Sequence, residues 1–277
     1  MKRHENILAA PGRKECQIVF IGDSITDGWD AEKGGKKVWD REYVPLGALN
    51  LGINCDSTQH ALWRLDHGEI DGLPKLKVAV IEIGTNNVGI TRDPPEDIAK
   101  GVEAICKRLK QKAPQARILL MAIFPKRFGA IRHEVANNLI AKLADGKRIF
   151  FMDINDTLVK EKVIADRVGH LTEKGYEIWA RKMRPTLKKL MQNKTGNRVI
   201  PATKPAKGGI PPKRRPAKKR LIRKDFKTVD FASAARDVGV DRIIYPGGLF
   251  TTVYKTGRCP AGLTRRAHQR RLVRLTE

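Results

Sequence analysis

Through about residue 192, short apolar runs alternate with stretches whose apolar residues recur every three or four positions. The runs at 17–21, 48–51, 78–83, 118–123 and 149–154 predict β-strands. Helical spacing predicts helices near 58–67, 95–112, 131–144 and 172–191. Within 96–109, Ile98, Val102, Ile105 and Leu109 fall on one stripe, as in a helix that buries a single face. Leu171-Thr172-Glu173-Lys174-Gly175-Tyr176 reads as a helix start, with Thr172 as its N-cap. Strands alternating with helices imply βαβ units and a mainly parallel sheet covered on both faces, an α/β fold.

The pattern breaks after residue 192. Lys204-Pro205-Ala206-Lys207-Gly208-Gly209 and Pro211-Pro212-Lys213-Arg214-Arg215-Pro216 combine Pro, Gly and like charge. Such a segment buries too little apolar surface to offset its ordering entropy, so 193–225 is expected to be a disordered basic linker. A weaker pattern returns in 226–277, a short basic extension with a helix expected near 231–238 and a strand at 242–245. Residues 1–192 form the expected folded domain.

Charge follows the same division. Of the net charge of +25, residues 193–277 hold 22 Lys and Arg against 5 acidic residues, a net of +17, which leaves +8 for the first 192. The tail reads either as a solvated linker or as a contact for nucleic acid or another anionic surface. It lacks interleaved aromatics, so any nucleic-acid contact would be non-specific. Cys16, Cys55, Cys106 and Cys259 have neither metal-binding nor redox spacing, and no metal site is expected. No apolar run approaches the length of a transmembrane helix, and the polar start lacks the core of a signal peptide. As written, the chain is expected in the cytoplasm, although a mis-called start could hide a leader.

The candidate chemistry begins at Gly22-Asp23-Ser24-Ile25, directly after the apolar run Ile18–Ile21. A serine at the carboxyl end of a buried strand opens into the crevice above an α/β sheet, where a nucleophile is expected. The plainer role for such a serine is helix N-cap. Acyl transfer also needs a base, an orienter for the base, and donors for an oxyanion. Two further strands end in Asn50-Leu51-Gly52-Ile53-Asn54-Cys55-Asp56 and Ile83-Gly84-Thr85-Asn86-Asn87, on the same rim as Ser24. A backbone N–H of the first loop and the Asn86 amide could meet at one oxygen. His170, with Asp166 four residues earlier, is the candidate base with its orienter. His60 and His67 read as surface or packing residues, and His4, His133 and His268 show no partner pattern.

These blocks, together with Asp56-Ser57-Thr58-Gln59-His60-Ala61-Leu62-Trp63-Arg64-Leu65 and His170-Leu171-Thr172-Glu173-Lys174-Gly175-Tyr176, resemble the GDSL or SGNH hydrolase superfamily over about residues 4–190. Within it they resemble the platelet-activating-factor acetylhydrolase beta/gamma-subunit-like esterases. The resemblance implies a flavodoxin-like three-layer α/β/α sandwich on a five-stranded parallel sheet. It implies Ser24 as nucleophile, His170 as base with Asp166, and no cofactor. The oxyanion donors would be the backbone N–H groups of Ser24 and Cys55 and the Asn86 side chain, with Asp23, Gly52 and Asn87 in support. The expected substrate is a small ester, short-acyl and acetyl especially, of a sugar or lipid.

Two departures accompany the resemblance. Cys55 stands where the family carries glycine, so a Cβ crowds the oxyanion site and a positive φ there would be costly. The family's Asp-x-x-His is lengthened to Asp166-Arg167-Val168-Gly169-His170. Either Gly169 absorbs the extra residue, or Asp166 swings out and the base loses orientation. The competing expectation is a catalytically impaired hydrolase-fold scaffold whose basic tail binds nucleic acid or an anionic surface. A segment at about 226–249 also resembles a helix–strand piece of an atypical short-chain dehydrogenase. The Gly-rich phosphate turn of that family is absent, so no nucleotide site is assigned.

Overall fold

The computed structural model describes residues 2–125 and 130–192, with side chains over 2–125 and 133–192, and the backbone of two later strands. A short helix α1 (Lys2–Leu8) precedes β1 (Ile18–Gly22), α2 (Ser24–Asp27), α3 (Lys36–Glu42), β2 (Ala48–Gly52) and α4 (Thr58–Asp66). Then follow β3 (Val78–Glu82), α5 (Pro95–Lys112), β4 (Arg117–Met121), α6 (Ala130–Ala141), β5 (Ile149–Met152), α7 (Asn155–Lys160) and α8 (Glu173–Gln192). The five strands pair in parallel in the order β2-β1-β3-β4-β5. β1 is central in the crossover, so strand order reverses on either side of it. In sheets of this kind ligands bind above the carboxyl ends of the strands at that point.

The two-residue alternation of the strands divides the core in two. Ile18 and Phe20 of β1, with Val78 and Val80 of β3, pack beneath α3 and α8 against Trp39, Tyr43, Trp179 and Met183. Val19, Ile21, Ala79 and Ile81 face the other way, toward Ala61 and Leu65 of α4 and the Ile98–Leu109 stripe of α5. Both faces of β1 and β3 are buried, which explains why these strands read as continuous apolar runs. The fold is the expected α/β sandwich. Thr172 caps α8 as expected, its Oγ1 accepting the Gly175 N–H at 3.2 Å.

Helices α1, α2, α3 and α7 were not legible in the apolar pattern. They span four to seven residues, too few to repeat a helical period. Later in the chain, β6 (Val240–Ile244) pairs antiparallel with β7 (Phe250–Tyr254). β6 overlaps the expected strand at 242–245, and β7 was not anticipated. The expected linker at 193–225, the helix at 231–238 and Cys259 lie outside the described residues. Among the described residues, no helix is long and apolar enough to cross a membrane.

Candidate active site

Ser24 is the first residue of α2, so the chain turns from strand to helix within two residues of Gly22. The N-cap is Asp23 rather than Ser24, with its carboxylate accepting the Ile25 N–H at 3.0 Å. The Ser24 hydroxyl is thereby left for other work. Its short helix is held from both sides. The Tyr176 hydroxyl of α8 donates to the Ile25 carbonyl at 2.8 Å. On the other side Asn50 Nδ2 donates to the Asp27 carbonyl at 3.3 Å. Gly52 makes that approach feasible, because a Cβ there would lie 2.2 Å from the Asp27 nitrogen.

His170 arrives from a loop 146 positions away, and its Nε2 lies 2.8 Å from Ser24 Oγ. Its Nδ1 lies 2.6 Å from Asp166 Oδ2. The extra residue between Asp166 and His170 is taken up in a tight turn, with Gly169 at φ 103°. Asp166 Oδ1 accepts the N–H groups of Val168, Gly169 and His170 at 2.9, 3.0 and 3.1 Å. Partial burial pushes the Asp166 carboxyl up. The bond from His170 and the backbone donors outweigh that effect and hold it below the usual carboxylate range. The carboxylate is thus charged and aimed at the imidazole.

The second loop turns sharply after β2. Cys55 adopts φ 66°, in the left-handed region that side chains rarely enter. The residue is half-buried, and its Sγ lies 3.4 Å from Asn54 Oδ1. Asn86, buried after β3, donates from Nδ2 to the Asp56 carbonyl at 2.8 Å. An amide nitrogen carries two hydrogens, so one remains after that bond. Asn87 ties the same loop to α4. Its Oδ1 accepts the Thr58 N–H at 3.0 Å, and its Nδ2 lies 2.8 Å from Asp93 Oδ2.

Beneath these loops lies a cluster of buried charges that the sequence pattern did not expose. Arg64, 3% exposed, donates to Asp56 Oδ2 at 2.7 Å and contacts Glu69. His4, set aside above for want of a partner, meets Glu69 Oε1 at 2.8 Å. His4 lies 65 positions from Glu69, while Asp56, Arg64 and Glu69 fall within one stretch of chain, Asp56 in the loop before α4 and Arg64 on the helix itself. His60 itself belongs to the helix cap, accepting the Ser57 N–H at 3.0 Å. Burial drives the Asp56 carboxyl up to about 7, against the pull of Arg64.

A cavity of about 450 Å³ opens over Ser24 and His170. Gly28, Ala31 and Gly34 form part of its wall, and Asp30, Lys33 and Asn54 add polar groups. Among the described residues no group of His, Cys, Asp or Glu is arranged to hold a metal ion.

Comparison with known proteins bears on the family and the fold. The model of the GDSL-like Lipase/Acylhydrolase family matches residues 20–178. The chain is 31% identical over 217 residues to platelet-activating factor acetylhydrolase IB subunit alpha1 of Bos taurus, covering 74% of this chain and 90% of that protein. Among solved structures, a GDSL-like lipase from Bacteroides thetaiotaomicron superposes with a TM-score of 0.55 at 21% identity, over 68% of this chain and 97% of that one. The psychrotrophic esterase EstA from Pseudoalteromonas sp. gives 0.52 at 20% identity, over 64% and 99%. The two structures share the fold.

Proposed function

We infer mechanism and substrate class from one premise: the chain belongs to the GDSL-like lipase/acylhydrolase family and is an ester hydrolase. Ser24 is the nucleophile, His170 the general base and Asp166 its orienter. The observation that carries this reading is the continuous path from Asp166 Oδ2 through both ring nitrogens of His170 to Ser24 Oγ, at 2.6 and 2.8 Å. His170 takes the Ser24 proton as the oxygen attacks the ester carbonyl. The backbone N–H groups of Ser24 and Cys55 and the remaining amide hydrogen of Asn86 receive the oxyanion. Protonated His170 then gives its proton to the departing alcohol, and water, activated by the same imidazole, releases the acid from Ser24.

The cavity supports a small substrate. Its volume of about 450 Å³ lies at the lower end of ligand sites. A cavity of that size over Ser24 fits a short acyl group such as acetyl. Asp30, Lys33 and Asn54 offer hydrogen bonds to a polar alcohol portion, as a sugar or a lipid headgroup would present. Hydrolysis of p-nitrophenyl acetate tests the assignment: Ser24→Ala is expected to fall to the buffer rate. Turnover equal to wild type would overturn it. The +17 net charge of 193–277 favours a second, separate role for the tail as a non-specific contact for nucleic acid or another anionic surface.

A further inference from the structure

The buried charges under the oxyanion loops take no part in the mechanism above, yet Arg64 bonds to the chain at Gly22, just before Ser24, and at Leu51 and Asp56, on either side of Cys55. His4, Arg64, Asp56 and Glu69 are 6%, 3%, 7% and 0% exposed. Burying such a cluster is costly, and apolar side chains of similar volume commonly hold the same space with equal or greater stability. Filling the core therefore does not account for it. The directions of Arg64's bonds do. Its Nη1 donates to the Leu51 carbonyl at 2.8 Å, and its Nη2 to the Gly22 carbonyl at 3.3 Å. These carbonyls stand at the ends of β2 and β1, just before the Cys55 loop and just before Ser24. Its Nε donates to the Asp56 side chain at 2.7 Å. Asp56 follows Cys55 in the chain, and its carbonyl accepts the Asn86 amide at 2.8 Å.

We propose that Arg64 is a positioning residue for the oxyanion hole, acting through Asp56 on both the Cys55 N–H and the Asn86 side chain. The inference rests on the reading of those two groups as oxyanion donors. Arg64 fixes the Asp56 side chain, and Asp56 passes the constraint along the backbone to Cys55 and through its carbonyl to Asn86. The remaining guanidinium donors hold the ends of β1 and β2 together, which sets Ser24 against the loop. Glu69, contacted by His4 of α1, anchors the far end of the guanidinium. Only a planar fork with several fixed donors can serve a carboxylate on each side and two carbonyls at once. A lysine ammonium, a single point of charge, cannot.

The test uses Arg64→Lys and the near-isosteric Glu69→Gln in the full chain, with p-nitrophenyl acetate as substrate and phenylboronic acid as probe. In the probe complex the Ser24 oxygen gives an electron pair to boron and its proton passes to His170. Nothing leaves, and the adduct is a tetrahedral anion in the oxyanion hole. Titration with a phosphonate counts the competent sites in each preparation. For Arg64→Lys, kcat per titrated site is expected to fall about 10–100-fold, the scale of an ångström-level misplacement. KM is expected to change by less than about 3-fold, since the interaction lost belongs to the transition state. The boronic acid Ki should rise in step with the loss in kcat. Glu69→Gln should move the same quantities in the same direction by less. A merely structural role would lower the number of titrated sites while leaving kcat per site and Ki unchanged in both variants, and that result overturns the proposal. Full activity in Ser24→Ala would instead remove the mechanism on which it rests.

Discussion

Replacing Cys55 with glycine removes a side chain from a backbone at φ 66°. An L-residue in the left-handed region costs about 1–2 kcal/mol. Glycine returns part of that gain, because its unfolded chain is freer by about 0.5–1 kcal/mol. Cys55 is half-buried, and its Sγ lies 3.4 Å from Asn54 Oδ1. The expected net effect is a stabilisation of about 1 kcal/mol, or roughly 2–4 °C in Tm for a domain of this size. Activity should move the same way: with the Cβ gone from beside the oxyanion, kcat for p-nitrophenyl acetate rises while KM holds. Thermal melts and initial rates read both effects. Cys55→Ala is the control, since it removes the thiol and keeps the strained Cβ, and it should gain neither stability nor turnover. A fall in Tm for Cys55→Gly, or an equal gain for Cys55→Ala, would show that the positive φ is not what limits Cys55.

Asp166→Asn leaves the imidazole without its charged orienter, and kcat is expected to fall about 10²–10⁴-fold with KM little changed; a loss below 10-fold in steady-state kinetics would contradict the role given to Asp166. Asp56 has its carboxyl raised by burial to about 7 from 3.8. Between those values the folded chain holds a proton that the unfolded chain releases, so this group's contribution to stability falls as pH rises through that window. Urea unfolding at about pH 5 and pH 7 should show that loss in wild type and a flatter dependence in Asp56→Asn; identical pH profiles would contradict the burial effect. Changing Lys213, Arg214, Arg215, Lys218, Lys219 and Arg220 to Gln should weaken DNA retention and reduce its salt dependence, whereas unchanged retention would exclude the tail as the contact.

The sheet was legible in the sequence because β1 and β3 bury both faces and so read as unbroken apolar runs. The short helices were not, since α2 spans only Ser24–Asp27 and α3 is mostly polar. The rim residues Ser24, Asn86 and His170 could be found because each follows or lies near a strong local signal. That His170 reaches Ser24 was legible only through the family resemblance, since the two lie 146 positions apart and meet through the packing of the whole sheet. The role of Gly169 was visible only as one of two alternatives, and its φ of 103° decides how the lengthened loop closes. The least legible feature was the Arg64 cluster. His4 and Glu69 are 65 positions apart, and nothing local in either segment marks the other as its partner.

In the proposed mechanism the Ser24 hydroxyl carries the acyl group. Its most direct test is stoichiometric labelling with a fluorophosphonate, followed by peptide mapping and parallel measurement of ester hydrolysis. One label per chain is expected, on Ser24, with hydrolysis lost in proportion to labelling and no label in Ser24→Ala. A label on another residue that abolishes hydrolysis, or hydrolysis that persists when Ser24 is fully labelled, would contradict it.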